Sequence, residues 1–143
     1  MDEDHKGIRQ VADALRALLE VLRAEYPISS IVVFGSRGRG DFLADSDVDV
    51  GVISPAFADL PAPERIDRIL KNWEGRLALE AVGLTPDELA ACKSALCWEI
   101  LEDGVAIFDD GTFRKARVRF QKIKERQGLR RTNYGWSMGK PAG

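Results

Sequence analysis

Residues 47–53 read Asp-Val-Asp-Val-Gly-Val-Ile, and this strict alternation constrains the fold more than any other stretch of the chain. A period of two suits an extended strand, so Asp47, Asp49 and Gly51 fall on one face and Val48, Val50 and Val52 on the other. The valine face needs a core beneath it, which argues for a half-buried strand over a solvated acidic edge. On the opposite face two carboxylates project side by side. Unpaired they repel and cost stability, so the pattern implies a bound cation.

A second apolar run, Ile31-Val32-Val33-Phe34, stops at Gly35 and reads as a buried strand entering a tight turn. Upstream, Ile8, Val11, Ala12, Leu15, Leu18, Leu19 and Leu22 keep the spacing of one helical stripe and predict a single amphipathic helix ending before Pro27. Downstream, Pro55, Pro61 and Pro63 break the chain into a loop, and Ile66, Ile69, Leu70 and Trp73 mark a further amphipathic helix. Leu77 to Leu84 follows as a third strand. Thr85, Pro86 and Glu88 form a helix start, with Thr85 as N-cap and Glu88 closing a capping box, and that helix is expected to run to about Asp103, where Gly104 ends it. Val105 to Phe108 is a fourth short strand and Asp110-Gly111 a turn. The order predicts an α/β (α+β) chain, a small mixed β-sheet flanked by helices. Trp73 and Trp98 fall in apolar patterns and read as core, whereas Tyr134 and Trp136 read as an interaction segment or a disordered one.

Composition bounds what such a chain can be. Its 143 residues, 45% apolar and 31% charged, suffice for one core and exclude both disorder and a multidomain enzyme. No run approaches the length of a membrane helix, and the acidic amino terminus is unlike a basic secretory leader, so a cytoplasmic protein is expected. Cys92 and Cys97, five apart in a helical segment, are expected to point to different faces as reduced structural thiols, and His5 has no partner at metal-ligand spacing. Charge is segregated. Residues 1–113 carry 11 Lys and Arg against 22 Asp and Glu, whereas residues 114–131 carry nine cations against Glu125 alone. This divides the chain into a body, 1–111, and a basic C-terminal helix and tail, 112–143. The cations of 114–131 either fold back on the acidic body or meet an acidic partner or RNA.

The chemistry concentrates between Phe34 and Val52. Gly35 lets the backbone leave its strand sharply, and Ser36 opens a short helix whose free N–H groups favour a phosphate. Magnesium suits the acidic face, because it takes hard oxygen ligands from one or two carboxylates together with nucleotide phosphates. The combination Gly35-Ser36, ten intervening residues that end in Ser46, then Asp47-Val48-Asp49-Val50 resembles the signature of the DNA polymerase β-like nucleotidyltransferases. More narrowly it resembles the minimal nucleotidyltransferase (MNT) domains, and the similarity covers about residues 5–110.

The resemblance implies a nucleotidyltransferase fold, with Gly35 and Ser36 on the triphosphate and Asp47 and Asp49 on two Mg²⁺ ions. Arg37 and Ser46 join the candidate nucleotide-binding set, while Arg37 and Arg39 face triphosphate, a partner or solvent. Glu80, the charged residue of the third strand, stands where the family usually carries a third metal-binding aspartate. The implied reaction is two-metal transfer of a nucleoside monophosphate, AMP from ATP, to an acceptor hydroxyl. Short MNT proteins resemble antitoxins paired with a HEPN-domain toxin, which makes a partner protein the first acceptor considered. RNA as acceptor and a non-catalytic binding module are the alternatives.

Overall fold

The computed structural model describes residues 5–139. Four strands form a mixed sheet, β1 (Ser30–Phe34), β2 (Val48–Ile53), β3 (Leu79–Leu84) and β4 (Val105–Asp109), in the order β3-β2-β1-β4. β1 is antiparallel to both β2 and β4, and β2 is parallel to β3. The parallel pair needs a crossover, supplied by a 3₁₀ turn (Pro55–Asp59) and helix α4 (Ala62–Leu70). Strand β2 begins at Val48, so Asp47 sits one residue outside it, in the approach loop.

The single amino-terminal helix expected from the apolar stripe is two helices, α1 (Lys6–Arg9) and α2 (Ala12–Glu25), broken at Gln10-Val11. The stripe survives the break because Ile8 and Val11 still reach the core that holds Leu15, Leu18 and Leu22. That core fills one face of the sheet with Ile31, Val33, Val48, Val50 and Val52, and Phe57 and Ile69 close it. Trp73 packs against it and donates its ring N–H to the Leu77 carbonyl at 2.8 Å.

The opposite face carries Val32, Phe34 and Ile53, covered by α5 (Pro86–Ala91), α6 (Ala95–Asp103) and α7 (Thr112–Gln127). The capping box at Thr85 and Glu88 forms as expected. The helix it starts does not continue to Asp103. Cys92 adopts φ 52°, the left-handed region, and Ser94 caps a new helix by accepting from Cys97 N–H. The break also changes the reading of the cysteines: on separate elements, both buried and free, they enter the same core cluster.

The basic helix expected beyond residue 111 is α7. Phe113, Ala116 and Phe120 are buried in the same cluster as Ile100 and Leu101, so the helix is docked on the sheet-covering layer. Asp109 fastens its start, accepting from the Ser30 hydroxyl and from the N–H groups of Gly111, Phe113 and Arg114 at 2.8 to 3.1 Å. Beyond it, β5 (Arg130–Thr132) and β6 (Gly135–Ser137) form a hairpin whose Trp136 packs edge-on against Trp98 and Phe120. Tyr134, at its turn, is fully exposed.

Candidate active site

Strand pairing brings three distant points of the sequence to one end of the sheet. Phe34, the last residue of β1, pairs with Asp49, and Asp49 pairs with Glu80 in the parallel register. Gly35 then turns the chain at φ +64° into the short helix α3 (Gly35–Arg39). A Cβ at Gly35 would collide with Asp49 Oδ2. Glycine is required twice there, for the left-handed conformation and for the room that the carboxylate occupies.

Among the described residues no cation pairs with Asp49. Burial pushes the Asp49 carboxyl up to about 7; a hydrogen bond with Glu80 and the Glu80 charge add to the shift, and the charges of Asp47 and Glu99 follow. Asp49 and Glu80, partners in the parallel register, thus bring their carboxyl groups together at one end of the sheet. Asp47 and Glu99 act on them through charge, Asp47 from the exposed approach loop and Glu99 from the half-buried side of α6. Among the described residues no three carboxylate, imidazole or thiolate groups close on a single point. The donor set is thus a converging carboxylate pair, which fits an ion of the Mg²⁺ type that completes its shell with substrate phosphates and water. A cation held there would offset both the burial and the neighbouring charges that raise the Asp49 carboxyl.

The Arg37 side chain is committed to the protein itself. Its side chain is fully buried, and its guanidinium donates to the carbonyls of Gly7, Ala44 and Ser46 and to Gln10 Oε1 at 3.0 to 3.3 Å, with the Phe42 ring 4.7 Å away. All its donors are committed to holding the 40–46 loop against α1. Gly7 permits this contact, since a Cβ there would strike the Arg37 carbonyl. Ser46 serves the same loop: its carbonyl accepts from Arg37, and its hydroxyl accepts from Leu43 N–H at 2.9 Å. The two residues set the approach path of Asp47. Arg39 is half-exposed and bridges Asp41 and Asp103 at 3.1 and 3.3 Å. His5 caps α1 by accepting from Gly7 N–H.

Sequence reasoning missed Glu99. Its only local signal is one charge beside the apolar Cys97, Ile100 and Leu101, which any solvent-facing helical residue shows, and the packing of α6 across the sheet brings it near Asp49. A cavity of about 430 Å³ between α5 and α6, lined in part by Leu84, Glu88 and Cys97, lies at the far end of β3 from Glu80.

A mixed four-stranded sheet with a glycine-serine turn facing paired strand carboxylates defines a nucleotidyl-transfer architecture. Residues 15–129 match the nucleotidyltransferase domain family, and the chain belongs to it. In sequence it is similar to the bifunctional uridylyltransferase/uridylyl-removing enzyme of Neisseria meningitidis, 32% identical over 116 residues. It is also similar to that of Ralstonia nicotianae, 27% identical over 96 residues. These stretches cover 78% and 64% of this chain but only 12% and 11% of the relatives, so the chain spans a small part of their length. In fold it resembles a presumed nucleotidyltransferase from Sulfolobus solfataricus, with a TM-score of 0.54 at 20% identity over 73% of this chain and 87% of that one. It likewise resembles a toxin–antitoxin structure with AMP-PNP, with a TM-score of 0.51 at 18% identity over 76% and 88%. Among the described residues no helix is long and apolar enough to cross a membrane.

Proposed function

We propose that this chain transfers AMP from ATP, with Mg²⁺, to an acceptor hydroxyl on a partner protein, in the manner of an MNT-type antitoxin acting on a HEPN-domain toxin. The observation that carries the reading is the Asp49–Glu80 pair seated against Gly35 at the end of β1, where like charges gather without a cation. The fold similarity to toxin–antitoxin proteins, one of them with AMP-PNP, supports the nucleotide and the kind of partner.

In this reading Asp49 and Glu80 hold the divalent cation, with Asp47 as the further carboxylate on the approach loop. Gly35 and Ser36 offer the turn at which the triphosphate rests, and Arg37 and Ser46 hold the loop that aims Asp47. When bound, the cation neutralises the triphosphate and strengthens the electrophile at the α-phosphorus. The acceptor oxygen forms a bond to that phosphorus as the bond to pyrophosphate breaks, and Glu80, the exposed member of the pair, takes the acceptor proton.

The test is incubation of the full chain with α-labelled ATP, Mg²⁺ and the partner toxin. Label on the toxin, absent with Asp49→Asn, is the expected result. Absence of label with the wild-type chain overturns the reading. UTP as donor is the second reading, favoured by the sequence similarity to uridylyltransferases, and the same assay with α-labelled UTP decides between them.

A further inference from the structure

Apart from Arg114, exposed in its first turn, the fold sorts the cations of α7 into two sets. Facing inward, Arg117 donates to the carbonyls of Leu101 and Gly104, and Lys124 pairs with Glu102 at 2.7 Å. Facing outward, Lys115, Arg119, Lys122 and Arg126 recur at intervals of four, three and four residues, the spacing that stacks helical side chains in one row. All four are exposed, and none forms an ion pair with a described residue; Lys115 only adds its charge to the field at Asp110. The row extends about 17 Å along the helix.

Like charges at this spacing repel. Docking of α7 does not use these four, since Phe113, Ala116, Phe120, Arg117 and Lys124 provide it. We propose that the row is a docking face for a nucleic-acid backbone. A protein interface centres on large aromatic and apolar anchors and is depleted in lysine; the row holds no aromatic residue, and the one apolar side chain beside it, Val118, is small and half-exposed. A phosphate chain needs only cations at regular intervals and gains affinity by releasing its counterions. Lys115 and Arg119 border a cleft with Pro86, Asp87 and Ala90 of α5, and none of the four cations belongs to the carboxylate site, so the proposal stands whichever acceptor that site serves.

The experiment measures binding of a labelled 20-nucleotide single-stranded RNA to the full chain, free of divalent metal, by fluorescence anisotropy across a salt series. Four phosphate contacts give a slope of log affinity against log salt of about −3. Lys122→Gln with Arg126→Gln should bring it to about −1.4 and weaken binding roughly 25-fold at 0.1 M salt, without changing the thermal melt. Lys115→Gln with Arg119→Gln should do the same from the other half of the row. Asp49→Asn should bind RNA as the wild type does, which separates this result from any failure of nucleotidyl transfer. The proposal is overturned if the wild type does not bind the RNA at 50 mM salt, or if neither double variant changes the slope. Polyglutamate competing as well as RNA assigns the row to an acidic protein and overturns it too.

Discussion

Two groups of carboxylates lie on α6 and the neighbouring strand ends, and the fold treats them in opposite ways. Asp103, with its side chain only 7% exposed, takes Arg39 from α3 at 3.3 Å and Arg131 from the terminal hairpin at 2.8 Å. Asp109 is saturated by one hydroxyl and three backbone N–H groups. Asp49 and Glu80, as neighbours in adjacent strands, receive no cation from the described residues and crowd each other. The chain has cations to spare, for it leaves Arg114, Lys115, Arg119, Lys122 and Arg126 of α7 exposed and in no ion pair with a described residue. Structural acids are satisfied within the fold, and the acids that await a ligand are left with their repulsion, the signature of a functional site.

The sharpest break of this contrast is Asp49→Asn, which should lower nucleotidyl transfer by about a thousandfold, the equivalent of several kcal/mol of lost transition-state stabilisation, measured as single-turnover rate with saturating Mg²⁺. Truncation after Gly111 comes next. It exposes the sites of Phe113 and Phe120 at about 2 kcal/mol each, a loss comparable with the whole stability of a small domain, and urea denaturation should show little cooperative transition. Arg37→Met should cost about 3 kcal/mol by the same measurement, because three carbonyls and Gln10 lose their shared donor in a buried place.

A pH series sharpens the comparison. Asp49 is raised to about 7 in the folded state and titrates near 4 when unfolded, so the folded protein holds this proton more tightly. Its contribution to stability is full below about pH 4 and is lost as pH rises through about 7. In chelator the melting temperature of the wild type should therefore fall between pH 5 and pH 8. Asp49→Asn should flatten that fall, and Mg²⁺ should restore the melting temperature at pH 8 in the wild type but not in the variant. The smallest effect belongs to the satisfied group: Asp103→Asn should cost about 1 kcal/mol, since both arginines remain partly in water, and should leave Mg²⁺ stabilisation unchanged in the same melts.

Where a residue's role follows from neighbours in sequence, reading the chain was enough. The alternation of Asp47–Ile53 located β2, the capping box located α5, and Gly35 located the turn into α3. The breaks at Gln10-Val11 and Cys92 were illegible, because the apolar stripe continues across both and only packing against the sheet decides where the helical path must bend. Arg37 shows the same limit at the site. Beside two glycines and a serine it reads as a phosphate ligand, yet its donors turn inward to a loop and a helix remote from it in sequence.

The sequence by itself determined the four strands of the mixed sheet, the start of α5, the candidate acids Asp47, Asp49 and Glu80 and the surplus of cations in α7, because periodicity, capping and charge are properties of adjacent residues. Tertiary structure alone decided that Glu80 meets Asp49, that Glu99 joins their field, that Arg37 is structural and which cations of α7 remain in water. Each of these depends on which surfaces come together once the sheet is covered. That is set by burying the two apolar faces as a whole, and no short stretch of sequence encodes it.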